Sequence, residues 1–125
     1  SNEFERAAWS AHREITPTTV LLFRYSAITF NSHRIHYDLP YATDEEKYRG
    51  LVVHGPLTAT LLLDLARREL GDNVLSSFAF RAIQPAICGE RIHLAMRRDD
   101  RGFELGAFRD DGSQIMAATA GSRQS

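Results

Sequence analysis

The sequence predicts an α+β domain in which a curved antiparallel sheet wraps one long central helix. Three observations carry that prediction. Residues 56–70 (PLTATLLLDLARREL) form a long apolar helical run. Strand-like runs follow it over 77–84, 90–98, 103–109 and 114–120. Asp99-Asp100-Arg101-Gly102 and Asp110-Asp111-Gly112 separate the last three of these as hairpin turns. One such unit uses the whole chain, so residues 1–125 are expected to be a single domain.

Residues 3–14 read as an N-terminal helix, with Phe4 and Trp9 available to dock on a partner instead. Pro17 ends that segment, and Val20 to Thr29 (VLLFRYSAIT) reads as a buried strand. A polar segment runs from Asn31 to Asp38, followed by a loop through Pro40. Thr43-Asp44-Glu45-Glu46 supplies an N-cap and an acidic first turn, which predicts a short helix to Arg49, stopped by Gly50. In the long helix, Pro56 occupies the first turn, where its missing N–H is tolerated, and Gly71 takes the position after the end. Leu57, Leu61, Leu62, Leu65 and Leu70, with Ala59 and Ala66, leave the helix few polar faces, so it is expected to be largely enclosed. The polar tail from Gly121 to Ser125 is expected to fray.

Composition narrows the function classes. With 43% hydrophobic and 25% charged residues, the chain is expected to fold rather than stay disordered. A net charge of −1 gives no general attraction to nucleic acid or anionic membranes. No apolar run reaches the roughly 20 residues that cross a bilayer, and Ser1-Asn2-Glu3-Phe4-Glu5 lacks the apolar stretch of a secretory signal. Cys88 is the single cysteine, which excludes an intrachain disulfide and suits a reducing compartment; a cytoplasmic protein is expected. Lys47 is the single lysine, and the arginine excess reads as compositional bias before phosphate recognition.

Chemistry concentrates in two places: Thr29-Phe30-Asn31-Ser32-His33-Arg34-Ile35-His36-Tyr37-Asp38 and, sixteen residues after Asp38, His54-Gly55-Pro56-Leu57-Thr58. The first brings an amide and two imidazoles onto one short segment. The second opens the long helix with a glycine at its mouth. Adding water to an activated alkene needs both a group that deprotonates water and a group that stabilises an enolate oxygen. His36 suits the deprotonation, since a neutral imidazole takes a proton from water and returns it; the alternative is a structural histidine holding a loop carbonyl. Asn31 is no base, but its amide can orient a water; an Asx turn at this point is an equal alternative. His33 reads equally as a second proton carrier or a solvated loop residue. Asp38 could orient a histidine or cap a turn, and Arg34 reads as a local ion-pair partner. Gly55 suits the enolate oxygen, because N–H groups at a helix start lack intrahelical partners and the helix dipole favours negative charge there. His54 reads as structural. Cys88 has no cysteine-hydrolase context, and the five histidines show no metal-ligand spacing.

Ile35-His36-Tyr37-Asp38 and His54-Gly55-Pro56-Leu57 resemble the MaoC-like hydratases and dehydratases of the hotdog fold, a likeness that extends over residues 18–120. Phe80 to Glu90 (FRAIQPAICGE) is similar to the strand, proline and turn that follow the helix in that family. Asn31 stands where the family has aspartate, His33 where it has asparagine and Arg34 where it has proline. The form Thr-Phe-Asn-x-His-Arg-Ile-His-Tyr-Asp is similar to the branch of mesaconyl- and itaconyl-CoA hydratases and type 2 mitochondrial hydroxyacyl-thioester dehydratases. The resemblance implies a CoA or acyl-carrier thioester as substrate, no cofactor and no metal. It implies a homodimer or pairing with a second hotdog unit, this chain being the C-terminal, catalytic half of a double-hotdog enzyme. Without the family's aspartate, His36 is left to carry the proton work alone. Arginines of either unit, such as Arg81, Arg91 and Arg97, are candidates for the CoA phosphates. Two rivals share the fold. A hotdog thioesterase would need a carboxylate on the helix, where Asp64 is the one well inside; a non-catalytic unit would only pair with a second.

Overall fold

The computed structural model describes residues 3–28, 50–71 and 73–122. Its elements are β1 (Ala11–Ile15), α1 (Thr19–Ile28), α2 (Gly55–Leu70), β2 (Leu75–Ala82), β3 (Ile92–Asp99), β4 (Gly102–Phe108) and β5 (Gln114–Ser122). The five strands form one sheet in the order β1-β3-β4-β5-β2, and every pairing is antiparallel. Helix α2 touches all five strands. This is the hotdog arrangement expected from the sequence.

The two hairpins form where the Asp/Gly turns predict them. At the second, Gly112 has φ +88°, and Asp111 Oδ1 accepts hydrogen bonds from the Ser113 N–H (2.8 Å) and hydroxyl (2.6 Å). β3, β4 and β5 are joined in sequence as a three-strand meander. β2 lies beyond β5 at the far edge, because the segment 83–91, with Pro85 inside it, is too long for a hairpin and crosses the end of the sheet.

Two elements differ from the sequence-based expectation. The run from Val20 is helical: α1 begins after Pro17, with the Thr18 hydroxyl accepting from the Leu21 N–H (3.1 Å) and the Thr18 carbonyl from the Leu22 N–H (3.1 Å). Leu22 is fully buried while Val20 is exposed, a one-sided burial that the continuous apolar run conceals. At the N-terminus, the expected helix over 3–14 is only a single 3-10 turn, Arg6–Ala8, followed by strand β1. Phe4 and Trp9 dock on this chain's own sheet. Phe4 stacks on His93 at 4.6 Å, and Trp9 meets Phe108 at 5.4 Å and the Arg97 guanidinium at 4.2 Å. The short helix expected at 43–49 lies outside the described residues.

Helix α2 is buried along one stripe, Leu57, Thr58, Ala59, Leu62, Leu65 and Ala66, against Ile92, Leu94, Met96, Leu105 and Met116 of the sheet. The expectation of a helix enclosed on most faces is therefore corrected. Thr60, Arg67, Arg68 and Glu69 are exposed, and Asp64 sits on the open flank, paired with Arg68 (2.8 Å) and with Arg13 of β1 (3.2 Å). A single sheet covers one side of a helix only. Leu62 is fully buried at the centre of the stripe. Leu62→Ala is expected to destabilise the fold by about 2–5 kcal/mol, through lost burial and a residual cavity. Urea unfolding measures this, and a change inside about 0.5 kcal/mol would mean the stripe is not the core.

Candidate functional site at the mouth of the long helix

The chain enters α2 along a fixed path. Val52 bridges Ile87, the Val53 N–H donates to the Ala86 carbonyl (2.8 Å), and the Cys88 N–H to the Leu51 carbonyl (2.8 Å). His54 then takes an extended conformation (φ −58°, ψ 131°) as the residue before the helix. It is 1% exposed, and its carbonyl accepts from the Thr58 N–H (3.1 Å) and, more weakly, the Thr58 hydroxyl (3.5 Å). This burial agrees with a structural His54.

Gly55 is the first helical residue. Pro56 has no N–H, and Thr58 already bonds His54, so the first turn presents the N–H groups of Gly55 and Leu57. A Cβ built on Gly55 would meet nothing within 4 Å. The side-chain position of Gly55 is thus open space, which lets a ligand come close to the backbone there. That space continues into a cavity of about 310 Å³ walled by Val52, Val53, Thr58, Ile83, Ile115 and Met116 among others. Apart from the Thr58 hydroxyl and the Gln84 amide, its described side chains are apolar, and none is a carboxylate.

Asn31, His33 and His36, together with Arg34 and Asp38, lie outside the described residues; Gly55 is the candidate the structure locates. Cys88 donates its thiol to the Pro17 carbonyl (3.4 Å), and burial pushes its pKa up, against a nucleophilic role. The three arginine candidates separate. Arg97 is held by Glu104 (2.9 Å) and the Ala8 carbonyl (3.2 Å), and Arg91 by Glu14 (3.1 Å) and Asp110 (3.4 Å). Arg81, exposed on β2, has no carboxylate partner among the described residues.

Residues 1–88 match the family described as hydroxyacyl-thioester dehydratase type 2. The chain belongs to that family. It is 46% identical over 107 residues to mesaconyl-C(4)-CoA hydratase of Chloroflexus aurantiacus, an overlap of 86% of this chain and 38% of that protein. It is 38% identical over 84 residues to the mitochondrial hydroxyacyl-thioester dehydratase type 2 of Schizosaccharomyces pombe, covering 65% of this chain and 28% of that one. The chain therefore spans less than two fifths of the length of these family relatives. Among solved structures, the (R)-hydratase from A. caviae involved in PHA biosynthesis superposes with a TM-score of 0.74 over 88% of this chain and 89% of that one. At 17% identity that likeness is one of fold.

One cluster escaped the sequence reading. His12 and His93, 81 positions apart, meet at 3.0 Å on the far side of the sheet. His12-x-Glu14 at strand spacing was the available signal, hidden because 3–14 read as helix.

Proposed function

We propose that this family member is the thioester-binding and proton-transfer unit of a 2-enoyl-thioester hydratase or dehydratase, acting on a CoA ester. The observation that carries this is Gly55 at the mouth of α2, whose missing side chain leaves open space beside an apolar cavity with no carboxylate among its described walls. An oxyanion donor beside an apolar pocket suits a thioester whose carbonyl gathers charge as an enolate. In the hydration direction Asn31 and His36 hold the water, and His36 takes its proton as oxygen bonds to the β-carbon. The enolate oxygen rests on the Gly55 N–H, and protonation of the α-carbon completes the addition. The thioester itself acidifies the α-position, so the chemistry calls for no redox cofactor or metal.

A thioesterase would need a carboxylate-activated water at the carbonyl. Asp64, the carboxylate well inside the helix, is instead tied to Arg13 and Arg68 on the open flank. A second hotdog unit, either another copy or the remainder of a longer protein, completes the site in this proposal. The β2 edge favours such pairing: it is an outer strand, with Phe80 48% and the neighbouring Ile83 44% exposed. Arg81 on that strand is the arginine best placed to meet a CoA phosphate. No helix among the described residues is long and apolar enough to cross a membrane, and a half-buried free thiol at Cys88 suits the cytoplasm.

Turnover of crotonyl-CoA, compared with acetyl-CoA and hexanoyl-CoA, tests the activity, with light scattering on the same sample. Hydration of crotonyl-CoA by a paired species is the expected result. Release of free CoA from the saturated esters would establish the thioesterase instead, and full activity in a stable monomer would remove the second unit.

A further inference from the structure

On the sheet face opposite α2, side chains of two neighbouring strands converge. Alternation along β3 sends Ile92, Leu94 and Met96 into the core and turns His93 the other way. On β1, Arg13 reaches Asp64 of α2, while His12 and Glu14 point to the opposite side. The register sets Glu14 directly across from His93, with His12 next along the same face. His12 Nε2 and His93 Nδ1 are 3.0 Å apart, in rings within 15° of parallel. One donor atom from each of His12, Glu14 and His93 lies within 4.8 Å of the others.

The surroundings prepare these groups as ligands. His93 Nε2–H donates to Asp110 Oδ1 at 2.6 Å, which leaves the lone pair on Nδ1, facing His12. A carboxylate on the far nitrogen is how metal-binding histidines are oriented and made more basic. Phe4 stacks over both rings, at 4.6 and 5.2 Å, and shields one side of the pair. A cavity of about 800 Å³ adjoins the cluster, and its walls carry Glu14, Glu90, Asp110 and Asp111 against Arg91 and Arg109.

We propose that His12, Glu14 and His93 form a binding site for a divalent first-row transition metal ion of the zinc type. Two imidazoles and a carboxylate suit such an ion, with a water from the cavity as fourth ligand. On binding, the His12 proton moves from Nε2 to Nδ1, so that both facing nitrogens offer lone pairs. The nitrogens part to about 3.3 Å, as bonds of about 2.0–2.1 Å in a tetrahedral site require. Glu14 supplies a carboxylate oxygen and shares its charge between the ion and Arg91. The ion would tie the edge strand β1 to β3, away from the helix mouth, and the site is independent of the hydratase proposal.

Calorimetric titration of the chain with Zn²⁺, and the visible absorption of Co²⁺ bound in its place, test the site. One ion per chain is expected, with a tetrahedral Co²⁺ spectrum. His12→Gln and Glu14→Gln should each weaken Zn²⁺ at least about tenfold, and Asp110→Asn by about 10–100-fold through the lost orientation of His93. A His33→Gln/His36→Gln variant should bind as before. Zn²⁺ binding weaker than about 1 mM, or binding that survives His12→Gln and Glu14→Gln yet disappears with His33 and His36, overturns the proposal. Glu14 is exposed, so Glu14→Gln decides the question even if a histidine variant does not fold.

Discussion

Replacement of His36 by alanine is expected to lower kcat for crotonyl-CoA hydration by about 100-fold or more, the scale of losing a positioned general acid–base. The helix mouth itself explains why so much should rest on one residue. Its described walls hold no carboxylate, and the imidazole adjoining it, His54, is 1% exposed. In the proposed mechanism proton transfer comes from the segment carrying Asn31, His33 and His36, in which His36 occupies the motif position. Asn31→Ala should cost less, because water remains available and only its orientation is lost. Steady-state kinetics on the folded variants distinguish the roles. Near-normal turnover by the His36 variant would move the proton chemistry elsewhere, to His33 or to the second unit.

The legible and illegible parts of the chain differ in what determines them. Residues 56–70 and the β3–β4–β5 hairpins were readable because local chemistry decides them: a first-turn proline, a terminating glycine, and Asp/Gly turns between short strands. Val20 to Ile28 was misread because an unbroken apolar run fits either a buried strand or a helix. The deciding contact, the Thr18 hydroxyl on the Leu21 N–H, involves a residue just before the run. Residues 3–14 failed for a nonlocal reason, since β1 exists by pairing with β3 and by burying Phe4 and Trp9 on distant partners. The same distance hid His12 and His93, which only the sheet register brings together. Gly55 was legible as a helix-mouth glycine; the apolar cavity beside it was not, because Val52, Ile83 and Met116 come from three separate parts of the chain.

Gly55→Pro provides the sharper test of the oxyanion role, because it deletes the one N–H in question. Most positions would not tolerate it, but this one meets the requirements set by the helix start and by the residue before it. Gly55 is the first residue of the helix, where proline's fixed φ is suited and no intrahelical bond is lost. His54 before it has ψ 131°, the extended conformation that a following proline demands. Beyond its chain neighbours and its own helix backbone, nothing lies within 4 Å of a Cβ placed there. The variant is expected to fold with some loss of stability, because a Cβ in helical conformation just before Pro56 is disfavoured, while kcat falls by about 100–1,000-fold, the scale of removing one oxyanion donor. Gly55→Ala is the companion: it keeps the N–H and adds bulk where the thioester approaches. If the N–H stabilises the enolate, the proline variant should lose mainly kcat and the alanine variant should mainly raise KM. Equal losses in both, all in KM, would mean that Gly55 only makes room for substrate. The Leu57 N–H, next in the same turn, would then be the remaining backbone donor for the enolate at the mouth of α2.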